Sequence, residues 1–160
     1  MKIQLLCIGR LKEGAEGMIV DRYVRRFGQI AGALGFGAVE ITEIVESRAR
    51  TAGERKLAEA AALRKKIPAD ARLVALDENG KTIGSADFAR FLDKAHNDSA
   101  RNLCFVIGGP DGLDKQLAGE AALILSLGRI TLPHGLARAV LAEQLYRAAT
   151  ILSGHPYHRA

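Results

Sequence analysis

The last six residues of the chain carry several side chains that can bind nucleotides or transfer protons. His155, Tyr157, His158 and Arg159 stand close together after a long helical pattern. Histidine exchanges protons near neutral pH, an aromatic ring stacks on a base, and arginine holds a phosphate. These residue types are compatible with a nucleic-acid contact or with a catalytic tail.

Two other interpretations of the tail are a zinc site and a frayed end. Against a zinc site, two histidines three residues apart, with no cysteine or carboxylate nearby, supply too few ligands. A frayed end without a function is the ordinary state of a chain terminus. Against fraying, Gly154 ends the preceding helical pattern and Pro156 stiffens the segment after it. We expect the tail to leave the helix in a restricted direction.

The helix before the tail carries a further candidate, Arg138. The apolar pattern predicts a helix over residues 135–153. Arg138 lies in its first predicted turn, where a cation opposes the helix dipole, so we expect it to bind an anion. Glu143 and Arg147 are four residues apart and suit a surface ion pair. The apolar residues at core spacing are Leu136, Val140, Leu141, Leu145 and Ala148.

Strand and helix patterns alternate along the chain. Apolar runs and period-two patterns predict strands at 2–9, 38–45, 72–77, 102–109 and 129–133. Helical patterns cover 15–33, 51–66, 85–98, 114–123 and 135–153. Thr51 and Glu54 have the spacing of a capping box, and Ser85 is a predicted N-cap. This order predicts a single α/β domain over residues 1–160, with a parallel sheet covered by helices on both faces.

Ligands of parallel sheets bind beyond the carboxyl ends of the strands, so a binding motif is expected just after a predicted strand. The sequence "DENGKT" lacks the first glycine of a phosphate-binding loop, since Ala75 occupies that position, and no GxGxxG occurs. The sequence "IGGPDGL" at 107–113 has three glycines that allow a ligand to approach the backbone. After the predicted fifth strand, Pro133 and His134 lead directly into the last helix.

Composition narrows the class of protein. Hydrophobic residues make up 48% of the 160 residues, yet no apolar run of 18 residues predicts a membrane span. Cys7 and Cys104 lie in apolar runs without metal-ligand spacing, which predicts buried free thiols, a cytoplasmic protein and no metal. The net charge of +5 favours an anionic partner. Arg22, Arg25 and Arg26 form a basic cluster that either contacts RNA phosphates or is a solvated helix face.

Five motifs together carry a resemblance to one family. They are "KIQLLCIGRLKE", "VALDENGK", "FVIGGPDGL", "ITLPHGLARAVLAEQLYRA" and "HPYHR". In this order, and at this chain length, they resemble the RlmH family of ribosomal RNA methyltransferases. These enzymes belong to the SPOUT class, also called α/β-knot methyltransferases. The resemblance spans essentially the whole chain.

The resemblance implies properties that periodicity does not reveal. The fold would contain a deep trefoil knot, with the C-terminal helix passed through a loop. The protein would be a homodimer, with the tail beside the methyl-transfer site. The substrate would be a pseudouridine of 23S rRNA, methylated at N3 within the assembled ribosome. The cofactor would be S-adenosylmethionine, and the matching positions are Leu76, Gly108, Leu127, Gly128, Arg129, Ile130, Thr131 and Leu132.

The implied chemistry agrees with the residue types. Methyl transfer to N3 requires alignment, loss of the imide proton and stabilisation of the developing anion. Because the resemblance places the tail beside the methyl-transfer site, we predict that the tail shapes the pocket for the target nucleotide. His155 or His158 would assist removal of the N3 proton, and Arg159 would contact RNA. Tyr157 and Arg138 are further suitable groups, and no metal is needed. One alternative is a non-enzymatic RNA-binding module of the ribosome. Another is a mononucleotide-binding protein of the flavodoxin type, for which "GRLKEGAEG" after the first strand is a poor phosphate loop. Binding of S-adenosylmethionine separates the three.

Overall fold

A computed structural model describes residues 1–159 of the protein. Strands and helices alternate without exception, as the sequence predicts. The strands are β1 (Lys2–Ile8), β2 (Val39–Ile44), β3 (Ala71–Thr82), β4 (Asn102–Ile107) and β5 (Leu123–Ser126). The helices are α1 (Ala15–Ala31), α2 (Ala52–Arg64), α3 (Ser85–Asn97), α4 (Lys115–Gly119) and α5 (His134–Leu152), and a short 3₁₀ helix (Gly32–Leu34) follows α1.

All five strands belong to one parallel sheet with the order β2-β1-β4-β3-β5. The central strands β1 and β4 are the most apolar, because both of their faces are covered. Ile3, Leu5 and Cys7 of β1 lie in the core under α1, α3 and α5. Leu6 and Ile8 lie in the second core under α2 and α4. The predicted parallel sheet with helices on both faces is confirmed.

Two local predictions, the capping box and the buried thiols, are also confirmed. Thr51 and Glu54 form the capping box at the start of α2. Cys7 and Cys104 are buried free thiols. Within the described part of the chain, no helix is long and apolar enough to cross a membrane. The trefoil knot implied by the family resemblance stays a prediction.

The fifth strand differs from its prediction. The sequence "RITLP" at 129–133 is a loop, and β5 is the preceding run Leu123–Ser126, so α4 ends earlier than expected. Both runs have an apolar pattern, but Leu125 fills the core whereas Ile130 is 81% exposed. Gly128 turns the chain away from the sheet with a φ of 135°. Burial next to β3 selects the earlier run as the strand.

Details of the helix ends also differ. The N-cap of α3 is Gly84, and the Ser85 hydroxyl instead donates to Gln144 Oε1 of α5 at 2.8 Å. Helix α5 starts one residue early, and its C-cap is Ser153. Gly154 follows in the left-handed conformation with a φ of 68°. This conformation ends a helix and favours glycine.

The predicted core face of α5 is correct except at its start. Leu141, Leu145 and Ala148 are buried and Val140 is half-buried, but Leu136 is 41% exposed. The buried stripe of α5 begins at Arg138. Leu136 lies two residues before it, about 200° around the helix, so it faces away from the sheet.

Candidate functional site

A cleft of about 790 Å³ opens at the carboxyl ends of β3, β4 and β5. Its walls are the bulge of β3 at 77–80, the glycine loop at 108–112 and the loop at 127–133 that joins β5 to α5. His134 and Ala137 of α5 complete it. Of the predicted cofactor residues, Gly128 and Arg129 belong to the last loop but do not line the cleft. Those that do are Leu76, Gly108, Leu127, Ile130, Thr131 and Leu132.

The glycine loop is a tight reversal of the backbone. Gly109 and Gly112 form an isolated bridge, and the Gly112 N–H donates to the Gly109 carbonyl at 2.9 Å. A Cβ atom on Gly108 would lie 2.6 Å from the carbonyl carbon of Gly112, so no side chain fits there. Gly112 has a φ of 80°. Glycine at these positions therefore permits the turn itself, and the turn presents backbone groups to the cleft.

The loop at 127–133 is held from both ends. The Ser126 hydroxyl donates to the Gly128 carbonyl at 2.8 Å and accepts from the Gly128 N–H at 3.2 Å. The Thr131 hydroxyl donates to Glu78 Oε2 in the bulge of β3 at 3.0 Å. Two walls of the cleft are thereby joined. The resulting surface combines apolar side chains with backbone amides, which suits a ligand with a flat ring and polar edges.

The tail is folded back on its own chain. The ring centroid of Tyr157 lies 4.8 Å from that of Tyr146 on α5. The Tyr157 hydroxyl donates to Glu143 Oε1 at 2.9 Å and lies 3.4 Å from the hydroxyl of Tyr23 on α1. Burial and these hydrogen bonds raise the pKa of Tyr157 well above its ordinary value. Tyr157 therefore keeps its proton at neutral pH and anchors the tail as a donor.

Glu143 and Arg147 hold this anchor in place and are more than a surface pair. Arg147 Nε donates to Glu143 Oε1 at 2.9 Å, and the guanidinium lies 4.9 Å from the Tyr157 ring centroid. Arg147 Nη1 is also 3.4 Å from His158 Nδ1. His155 and Arg159 remain exposed. The i, i+4 spacing on α5 predicts the ion pair of Glu143 and Arg147 from the sequence. The contact of this pair with Tyr157 depends on the turn after Gly154 and is not visible in the spacing.

Arg138 lies in the second turn of α5 and is fully buried. Its Nη1 donates to Glu43 Oε1 at 2.7 Å, and its Nη2 donates to the carbonyls of Ile8 and Gly9 at 2.8 and 2.6 Å. Glu43 also accepts the Leu11 N–H at 2.8 Å. The anion that Arg138 binds is therefore Glu43 of its own chain. The pair fixes the end of β1 and the start of the loop that follows it.

The predicted basic cluster on α1 divides into two parts. Arg22 and Arg25 are exposed, whereas the Arg26 guanidinium lies 5.8 Å from the Tyr146 ring centroid in a cation–π contact.

Across residues 1–159, no three histidine, cysteine or acidic side chains are arranged to hold a metal ion.

Known proteins resemble this chain over its whole length. Residues 1–158 match the profile of a family described as "Predicted SPOUT methyltransferase". Proteins named ribosomal RNA large subunit methyltransferase H are 49% identical in Bradyrhizobium diazoefficiens and 51% identical in Rhodopseudomonas palustris strain BisB18, over 100% of both chains.

A solved structure has a similar fold. Ribosomal RNA small subunit methyltransferase E from Neisseria gonorrhoeae, bound to S-adenosyl methionine, superposes with a TM-score of 0.50 at 13% identity. The match covers 95% of this chain and 66% of that protein. Together with the full-length sequence matches, the five-stranded parallel sheet and its cleft lead to one conclusion: the chain belongs to the SPOUT methyltransferase family.

Proposed function

We propose that this protein transfers a methyl group from S-adenosylmethionine to N3 of a pseudouridine in 23S rRNA, on the assembled ribosome. The observation that carries the proposal is the cleft of about 790 Å³, in which the glycine loop and the loop at 127–133 meet at the carboxyl end of the sheet. The full-length relatives named as large-subunit rRNA methyltransferases support the choice of substrate.

The cleft residues fit the proposed cofactor. Leu76, Leu127 and Leu132 supply apolar surface for an adenine ring, and the glycine loop supplies backbone groups for its polar edges. When bound, S-adenosylmethionine supplies an electrophilic methyl group on a sulfonium. The protein then has to align the acceptor nitrogen with that methyl group and exclude water.

The tail supplies the groups that act on the substrate. His155 or His158 assists the removal of the N3 proton, and Arg159 contacts the RNA backbone. Tyr157 positions these residues, because its ring and hydroxyl are both held by the chain. Arg138 likewise acts by positioning the β1 end and not by touching the substrate, because its guanidinium is buried against Glu43.

The geometry of α5 supports an arrangement in which the tail serves a second subunit. His134 at the start of α5 lines the cleft, and the tail follows Leu152 at the other end. A helix of 19 residues separates its ends by about 28 Å. The tail folds back from that end, and Tyr157 is anchored at Glu143 and Tyr146, still about 14 Å along the helix from His134, so we propose that the tail serves the cleft of a partner in a homodimer. Exposed apolar side chains on α1 and α5, Met18 at 75% and Leu136 at 41%, support such an interface.

The proposed reaction is tested by direct transfer of a labelled methyl group. Purified protein is incubated with S-adenosylmethionine and with ribosomes from a strain that lacks this protein. Protein-free 23S rRNA is the parallel substrate. Nuclease digestion and mass spectrometry then locate the added methyl group. We expect one methylated pseudouridine from ribosomes and little product from protein-free rRNA. Equal turnover on both substrates, or a methyl group on another nucleotide, would contradict the proposal.

A further inference from the structure

Residues 45–51, between β2 and α2, form an irregular segment that we call the rim segment. Arg48 and Arg50 are both exposed on it. Neither makes an ion pair with any residue in the described range 1–159. The only carboxylate within the rim segment is Glu46, and its Oε1 lies beside Gly9, 2.7 Å from the position of an added Cβ atom. The rim segment therefore presents two arginine side chains to solvent, neither of which is held in a salt bridge.

Two side chains of α2 hold the backbone of the rim segment. Glu59, which is only 6% exposed, accepts the Ser47 N–H at 2.9 Å. Arg55 Nη1 donates to the carbonyls of Ala49 and Arg50 at 3.2 and 3.3 Å. An irregular segment that only connected two elements would leave these backbone groups to water. Here two charged side chains fix it in one conformation.

The same two side chains also contact the glycine loop of the cleft. Arg55 binds the Asp111 carboxylate with both Nε and Nη2, at 2.6 and 3.0 Å. This contact lowers the pKa of Asp111, so its carboxylate is ionised at neutral pH. Glu59 Oε2 lies 3.4 Å from the position of a Cβ atom on Gly109. Gly109 and Asp111 both line the cleft. The rim segment is therefore tied to the edge of the cleft.

We infer that the rim segment is an RNA-contact element, in which Arg48 and Arg50 bind backbone phosphates of the substrate rRNA at the entrance of the cleft. The inference rests on the proposed function for the identity of the RNA. Arg55 and Glu59 act as positioning residues, because Arg55 joins the rim segment to the glycine loop and Glu59 holds Ser47 beside Gly109. Lys56 lines the cleft nearby and adds positive charge along the same path.

The test compares two variants that each remove two positive charges. Arg48→Gln/Arg50→Gln removes the charges of the rim segment and leaves side chains of similar length. Lys65→Gln/Lys66→Gln is the matched control, because both lysines are exposed just after the other end of α2. Binding to ribosomes is measured by co-sedimentation over a range of KCl concentrations. Binding of S-adenosylmethionine is measured by calorimetry, and methyl transfer by label incorporation.

We expect the rim variant to bind ribosomes at least about tenfold more weakly at low salt, and its slope of log K against log[salt] to be shallower by about 1.4 to 1.8, as two lost phosphate contacts require. Its affinity for S-adenosylmethionine and the behaviour of the lysine control should stay unchanged. The inference is overturned if both variants bind ribosomes equally weakly. It is also overturned if the rim variant binds more weakly without a change of slope, because loss of a contact with a ribosomal protein would give that result. If the wild-type protein binds ribosomes normally but transfers no methyl group, the proposed function fails and the binding comparison still decides the role of the rim segment.

Discussion

The hydroxyl of Tyr157 donates a hydrogen bond to Glu143 Oε1 at 2.9 Å, which joins the tail to the helix that precedes it. Arg147 also donates to Glu143, so a contact within α5 holds the acceptor in place independently of the tail. The tail leaves α5 through the left-handed Gly154 and returns along the same helix. The segment that carries both histidines therefore starts from a fixed point on the surface, which supports the proposal that they act on the substrate.

Replacing Tyr157 by phenylalanine should slow methylation without weakening cofactor binding. The ring still packs on Tyr146, but the hydrogen bond to a charged acceptor, worth about 1.5–3 kcal/mol, is lost. Single-turnover methylation of ribosomes should fall about tenfold, because the tail leaves its anchored position more often. Tyr23→Phe is the matched control, since its contact with Tyr157 is longer, at 3.4 Å. An equal loss of rate in both variants would show that the Glu143 contact has no special role.

Arg138→Met should strongly destabilise the fold. Removal of the guanidinium leaves the buried carbonyls of Ile8 and Gly9 without their donor, which costs about 1–3 kcal/mol each, whereas the Glu43 side chain is 31% exposed and can bind water instead. Denaturant unfolding followed by circular dichroism measures this change. Arg25→Met on the exposed face of α1 serves as the control and should stay within about 0.5 kcal/mol of the wild type. If both variants unfold at the same midpoint, the buried cluster does not support the β1 end.

The two free thiols should make the protein less stable in alkali. Burial raises the pKa of Cys7 from 9.0 to about 12 and that of Cys104 to about 11. Unfolded thiols ionise near pH 9, whereas the folded ones stay neutral. The stabilisation is thus complete below pH 9 and is lost progressively as the pH rises toward these folded values.

Guanidinium midpoints measured at pH 8, 9.5 and 10.5 test this expectation. The matched control is Cys7→Ala/Cys104→Ala, which keeps every tyrosine and lysine that titrates in the same range. The midpoint of the wild type should fall more steeply with pH than that of the double variant. Parallel pH profiles would mean that the thiols ionise equally in both states.

The fold of the first four strands follows from local pattern, but the end of the chain does not. Apolar runs long enough to cross a covered sheet identify β1 and β4. The run at 123–126 has three apolar residues in four, and the run at 129–133 alternates polar and apolar residues, so both patterns suit a strand. The contact between Leu125 and the β3 edge decides between them. A local sequence pattern does not contain that contact.

The candidate site is likewise predicted only in part by the sequence. The family resemblance identifies six residues that line the cleft, because loop motifs keep their order along the chain. The partner of Arg138 is 95 positions away, so spacing predicts an anion but not Glu43. The i, i+4 spacing of Glu143 and Arg147 also does not reveal that Glu143 accepts a hydrogen bond from the Tyr157 hydroxyl.

A leucine at position 137 should block cofactor binding while leaving the fold intact. Ala137 lines the cleft from the first turn of α5, and leucine is compatible with a helix. Gly108→Leu is a poorer probe, since its side chain would collide with the backbone of Gly112 and distort the loop. Calorimetry with S-adenosylmethionine should show at least about a hundredfold loss of affinity, or about 2.7 kcal/mol. Ala61→Leu, exposed on α2, should bind normally. Normal binding by the Ala137→Leu variant would place the cofactor elsewhere.

A chain cut after Gly154 should bind S-adenosylmethionine nearly as well as the full chain but should not methylate ribosomes. No described residue of the tail lines the cleft, and Tyr157 contacts α5 at Glu143 and Tyr146, away from His134. Loss of Tyr157 uncovers part of the Tyr146 ring, so the free energy of unfolding should also fall, by about 1–3 kcal/mol. This variant lacks a tail but keeps an intact cleft, whereas Ala137→Leu has the opposite defect.

Mixing these two inactive proteins tests whether the tail works on the partner subunit. After subunit exchange, half of the dimers should pair one truncated chain with one Ala137→Leu chain. In each such dimer the intact cleft of the truncated chain receives the intact tail of the other, so about a quarter of the wild-type activity should return. If each tail served its own cleft, no mixed dimer would contain a complete site. A mixture that stays inactive after exchange has been verified by mass spectrometry would therefore assign the tail to its own subunit.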